Sequence, residues 1–205
     1  MPHVPVEQRR SQLVQAAVRV ISRDGVAAAS TRRIAEEAGA SQASLHYSFR
    51  SKEELLAAVT EYAVDATRAA LEVRPIEAGI GLRRALAQLL TLFRESALAD
   101  RELTVAQYEL QLWALHAPAH KGLAAHCYER FTEELSGVLA TAAGPDERGV
   151  DMDRLARLLM VVTDGTAFQL LACGPDLVPD PDPLVLADGL LTAAEQTAQR
   201  SGSID

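Results

Sequence analysis

The chain has 205 residues, 48% of them apolar and 23% charged, with a formal net charge of −8. That balance is ordinary for a globular protein and supplies either one large core or a small head on a larger body, which excludes an intrinsically disordered chain. No run of 18 uninterrupted apolar residues occurs and residues 1–10 hold no apolar signal core, so the expectation is a cytoplasmic protein with no membrane partner.

Two cysteines, Cys127 and Cys173, lack Cys-x-x-Cys spacing, and both read as buried thiols rather than a disulfide. The charge is unevenly spread. Residues 1–60 carry eight Lys/Arg and six Asp/Glu, whereas residues 61–205 carry twelve and twenty-two. A mildly basic head on an acidic body permits local phosphate contacts by the head while the body repels DNA.

Apolar residues recur at helical spacing almost throughout, without convincing period-2 alternation, so the chain reads as all-α. Leu13, Ala16, Ala17, Val20 and Ile21 define the inner face of a first helix, with Gly25 as a left-handed stop. Ser30 and Thr31 are candidate caps for a second, with Ile34, Ala35 and Ala38 inward and Gly39 at its end. Ser41 caps a third running to about Tyr47. Ser51 and Glu54 form a capping box for a long fourth helix reaching about Val73.

Beyond Pro75 longer helices are expected at about 77–98, 101–116, 119–143, 151–173 and 183–200. Asp100 caps the second of these, Pro118 interrupts the pattern, and Gly144-Pro145 ends the third. Residues 174–183, with four prolines and three aspartates, form a turn or short linker. The domains are expected at 7–52 and 53–205.

Two short helices joined by a Gly-containing turn have the form of a helix-turn-helix, whose second member enters the major groove. On that member Gln42, Ala43 and His46 share a face, Tyr47 lies at its edge, and Leu45 points away. Gln pairs with an adenine edge, an Ala methyl touches a thymine methyl, and Ser44 bonds either way. Arg32 can reach guanine or phosphate. Thr31, Tyr47 and Lys52 suit backbone contacts, Thr31 and Lys52 because helix N-termini favour anions. Taken alone, the same pattern is also ordinary solvated surface.

The run Ser30-Thr31-Arg32-Arg33-Ile34-Ala35-Glu36-Glu37-Ala38-Gly39-Ala40-Ser41, followed by Leu45-His46-Tyr47-Ser48-Phe49-Arg50-Ser51-Lys52-Glu53-Glu54-Leu55-Leu56, resembles the N-terminal domain of the TetR family of repressors. The match extends back through Ala17 and Arg10. The resemblance implies a three-helix helix-turn-helix domain followed by a helical-bundle ligand-binding and dimerisation domain, acting as a repressor released from a palindromic operator by a small molecule. It also implies base-proximal roles for Arg32, Gln42, Ala43 and Ser44, and backbone roles for Thr31, Tyr47 and Lys52. His46 stands where Tyr is common and Ser48 where His is common.

In the body, one-sided helices must pack together, and such a bundle can enclose an apolar ligand cavity. Candidate lining residues are Phe93, Tyr108, Leu112, Trp113, His116, Phe131, Met160 and Phe168, with Glu109 and Asp164 available to a cationic ligand. Each aromatic also reads as plain core. His116, His120 and His126 invite a metal, but Pro118 separates the first two, so neither metal nor cofactor is expected. Leu155, Leu159, Val162, Thr166 and Leu170 form a stripe that, beside Gly165, suits a homodimer interface built from the last two helices, or packing within one subunit. An enzyme using Glu109, His116, His126 or Asp164 is the rival, but no nucleophile elbow, phosphate loop or metal-ligand run supports it.

Overall fold

The computed structural model describes residues 5–116 and 121–201, with backbone alone for residue 121 and residues 196–201. His120 and Pro118 lie outside the described residues. Nine α-helices and two single-turn 3-10 segments are present among the described residues, and no strand. The helices are α1 (Val6–Ala28), α2 (Thr31–Glu37), α3 (Gln42–Ser48), α4 (Lys52–Val73), α5 (Leu82–Ala99), α6 (Arg101–His116), α7 (Lys121–Ala142), α8 (Met152–Cys173) and α9 (Pro183–Ser201).

The expected caps are largely in place. The Ser30 Oγ accepts from the Arg33 N–H, Ser41 from Ser44, Asp100 from Leu103 and Asp151 from Arg154. At α4 the box is half formed: Ser51 Oγ accepts from the Glu54 N–H, but Glu54 Oε2 accepts from the Arg50 N–H one residue upstream. Gly25 takes a positive φ of 77°, yet one further helical turn follows it, so α1 bends there rather than stopping.

The expected helix at 77–98 begins five residues late. Gly79 and Gly81 both have positive φ, and their N–H groups donate to the carbonyls of Thr141 and Ala142. Glu147 then accepts from the Leu82 N–H and from the Gly144 N–H, which caps α5 from a distant loop. A long-range carboxylate decides this boundary, and helical periodicity contains no trace of it.

The chain forms two compact units, Met1–Thr67 with Asp100–Tyr128, and Arg68–Ala99 with Glu129–Asp205. In the first, α1 packs against α2, α3 and α6 around the fully buried Leu13, Ile21, Ile34, Leu45, Phe49 and Leu55. In the second, α5, α8 and α9 pack together around Leu82, Leu86, Leu89, Leu155 and Leu159, and Arg83 donates to Asp188 at 2.6 Å to tie α5 to α9.

Helix α8 has the length and mean hydropathy, 1.3 over 18 residues, of a membrane span, although only 28% of that window is buried. Its inner face is spent on α5 and α9. The stripe expected to meet a partner is largely that inner face: Leu155, Leu159 and Leu170 are buried within the subunit, and Val162 and Thr166 are half-buried. The outward apolar residues of α8 are instead Val161 and Phe168, 71% and 54% exposed. Cys127 is buried as expected, but Cys173, in the last turn of α8, is exposed.

Candidate nucleic-acid interface

Between α2 and α3 the chain turns within four residues. Gly39 adopts φ 60°, its N–H donates to the Glu36 carbonyl, and the Ala40 N–H donates to the Ala35 carbonyl. This pair of bonds is a Schellman stop, which satisfies the last carbonyls of α2 and redirects the chain into the Ser41 cap. Ile34 and Ala35 of α2 and Leu45 of α3 are buried, which fixes how the two short helices lie against α1.

Burying Leu45 turns the opposite side of α3 outward. Gln42, Ala43 and His46 are exposed, Ser44 is half-buried, and Tyr47 is 81% exposed. An amide, a methyl, an imidazole and a phenol thus stand together without a core role. Ser48 is buried and donates its hydroxyl to the Ser44 carbonyl, so it belongs to the helix rather than to the outer face.

A network on the far side of α3 holds this face rigid. Arg10 lies over the Phe49 ring, 4.1 Å from its centroid, donates to the Ser48 carbonyl, and reaches Glu54 at 3.4 Å. Glu54 also accepts from the Arg50 backbone and side chain, and these bonds hold its carboxyl below the ordinary value. In the sequence alone Glu54 stands out only as a capping residue. The Arg10 match to the family pattern was the one signal of this wider clamp.

The cations of the head are mostly paired. Arg19 and Arg23 hold Glu37, Arg23 and Arg33 hold Asp24, and Arg32 holds Glu36 at 2.9 Å. Arg32 remains exposed, and a solvent-screened surface pair of this kind is weak, which leaves its guanidinium exchangeable. Thr31 is half-buried at the first turn of α2. Lys52 is also half-buried: its Nζ donates to the Val26 carbonyl, and burial lowers its pKa.

The ten residues singled out for a ligand divide between the two units, five in each. Tyr108, Glu109 and Trp113 are half-buried on α6, where Leu112 and His116 are exposed; these five belong to the first unit. Phe93, Phe131 and Asp164 are half-buried, Met160 is buried and Phe168 is exposed, all in the second unit. None lines the two cavities of the second unit that flank the segment preceding α9. His126 bonds Glu61 at 2.9 Å, and no three metal-ligating side chains gather among the described residues.

Two family models match the chain, one at each end. A family model described as bacterial regulatory proteins, tetR family, matches residues 13–59, and one described as tetracyclin repressor-like, C-terminal domain, matches residues 81–197. The chain is 36% identical over 165 residues to the HTH-type nicotine-responsive transcriptional repressor HdnoR of Paenarthrobacter nicotinovorans, covering 80% of this chain and 84% of that protein. A TetR-family structure from Streptomyces coelicolor superposes with a TM-score of 0.67 at 26% identity, over 89% of this chain and 98% of the other. The multidrug binding protein EbrR complexed with ethidium gives 0.61 at 27% identity, over 94% and 99%.

Proposed function

The chain belongs to the TetR family of bacterial regulatory proteins, DNA-binding transcriptional regulators that respond to ligands, and we propose that it is a homodimeric repressor released from a palindromic operator by a small molecule. In this reading α3 enters the major groove. Gln42, Ala43, Ser44 and His46 meet base edges, and Arg32 reaches a guanine or a phosphate. Thr31, Tyr47 and Lys52 hold the phosphate backbone and set register. Two copies related by a two-fold axis present their α3 helices about 34–36 Å apart, one turn of DNA.

The observation that carries the proposal is the exposure of Gln42, Ala43, His46 and Tyr47 on one side of a helix whose other side buries Leu45. Apolar exposure on α8, at Val161 and Phe168, supports the dimer, because a helix this apolar needs a cover on its outer side. Resemblance to ligand-responsive relatives supports release by a small molecule, which must favour the subunit arrangement that cannot span the operator. A role on bacterial DNA supports a cytoplasmic site of action.

Selection of bound sites from random duplex DNA tests the reading. The expected result is a palindrome whose half-site centres lie one helical turn apart. Recovery of unrelated sequences at every round would overturn it.

A further inference from the structure

We infer that Arg50, in the short link between α3 and α4, is a further DNA contact: its guanidinium grips a backbone phosphate, with Glu54 holding one edge of the fork in place. The inference rests on the DNA-binding reading above and adds to it a residue which that reading leaves out.

The local backbone decides where Arg50 points. Phe49 ends α3 with extended dihedrals, φ −137° and ψ 125°, and is buried. Successive side chains on extended backbone take opposite sides, so burying Phe49 turns Arg50 outward. The Arg50 side chain is 94% exposed, more than that of any other paired arginine of the head, and Arg32 follows at 76%. The link itself is fastened at several points. Phe49 lies under Arg10, which also donates to the Ser48 carbonyl. The Arg50 N–H donates to Glu54 at 2.9 Å, and Ser51 caps α4.

What stays open on the side chain suits an anion. Arg50 Nε donates to Glu54 Oε2 at 3.2 Å, and neither Nη group has a partner among the described residues. Arg23, by contrast, commits Nε to Asp24 and both Nη groups to Glu37. A guanidinium held by Nε alone presents its Nη edge, whose N–H groups match two oxygens of one phosphate. Glu54 does not cancel the charge of this corner. It is shared with Arg10, and Arg10, Arg50 and Lys52 together outweigh Glu53 and Glu54.

An exposed i,i+4 pair is in general plain solvated surface. Position sets this one apart: Arg50 stands between Tyr47 and Lys52, both assigned above to the phosphate backbone. The fastened link and the held Nε also reduce the freedom the side chain would lose on binding.

Fluorescence anisotropy with the full-length protein tests the inference on two duplexes, one carrying the sequence it selects from random DNA and one a scramble of it. Arg50→Ala keeps the N–H that holds Glu54, so the clamp stays in place. It should weaken binding to both duplexes by the same factor, about tenfold, and lower the slope of log affinity against log salt by about one per subunit. Arg50→Lys should restore the slope. Methylphosphonate substitution, one phosphate at a time along a half-site, then locates the contact. At one position, neutralising the phosphate should weaken the wild type and leave Arg50→Ala unaffected. Losses that add at every phosphate, an unchanged slope in Arg50→Ala, or a lysine no better than alanine would overturn the inference. Failure of the wild type to bind either duplex at low salt defeats the DNA-binding reading and Arg50 with it, whereas binding with additive losses defeats Arg50 alone.

Discussion

Lys52 donates its ammonium to the Val26 carbonyl at 3.1 Å, so the first residue of α4 is fastened to the chain just beyond the Gly25 bend in α1. Val26 O also accepts from the Ala29 N–H at 3.2 Å, and it stays satisfied if the lysine is lost. The same ammonium has further donors available for a phosphate.

Lys52→Met, which keeps the aliphatic stem, should therefore cost less than about 1 kcal/mol of stability but weaken binding to every DNA sequence. The slope of log affinity against log salt should fall by about one charge equivalent per subunit. Fluorescence anisotropy across a salt series measures both. An unchanged slope would make the ammonium purely structural.

Gln42→Ala should behave differently, because Gln42 is exposed on the outward side of α3, opposite the buried Leu45. Discrimination at one base pair of each half-site should drop by about 1–3 kcal/mol, with stability and salt slope unaffected. Uniform loss across all sequences would instead class it with the backbone contacts.

These two residues mark how far the sequence could be read. The outward face of α3 was legible because periodicity buries Leu45 and so exposes Gln42 and His46, and because the caps at Ser30 and Ser41 are local hydrogen bonds. The Lys52–Val26 link, the Arg10–Phe49 stack and the Glu147 cap on α5 each join residues 26 or more positions apart, and no local pattern encodes them. For the ligand residues the sequence offers only aromaticity, which marks burial in general and does not say which neighbour a side chain meets. On α8 the 3.6-residue period revealed a stripe but not which neighbour it faces.

Two glycines allow a paired test of backbone strain. Gly39 has φ 60° with open space around a built Cβ, so Gly39→Ala should cost about 1 kcal/mol, from the left-handed backbone alone. Gly25 has φ 77° and ψ 162°, a region essentially reserved for glycine, and a Cβ there would stand 3.4 Å from Glu109 Oε2. Gly25→Ala should cost about 2–3 kcal/mol. Urea unfolding of both variants gives the order, and a smaller loss at Gly25 would contradict it.

The two faces of α8 should respond oppositely to charge. Val161→Asp and Phe168→Asp, on exposed side chains, should yield folded monomers that no longer bind the full operator. Leu155→Asp, at a fully buried position, should prevent folding by burying an unpaired carboxylate. Light scattering with circular dichroism separates the outcomes. A Phe168→Asp dimer of normal affinity would move the interface elsewhere.

Acid should loosen the head through Glu54. Its carboxyl is held below its ordinary value near 4.5, first by the Arg50 N–H and, against the opposing effect of burial, also by the Arg50 and Arg10 side chains. A depressed folded-state pKa means the unfolded chain binds the proton first, so the stabilisation is fully present above about pH 4.5 and disappears as pH falls through the folded value. Glu37, lowered first by its bond from Arg19, behaves in the same sense and shares the acid limb. Glu54→Gln cannot titrate: it should be less stable at neutral pH and show a shallower loss of stability below pH 4.5, with the Glu37 contribution remaining. Stability measured by urea unfolding from pH 3 to 7 decides the matter, and wild-type and Glu54→Gln curves that run parallel throughout would show that the clamp does not carry the acid response.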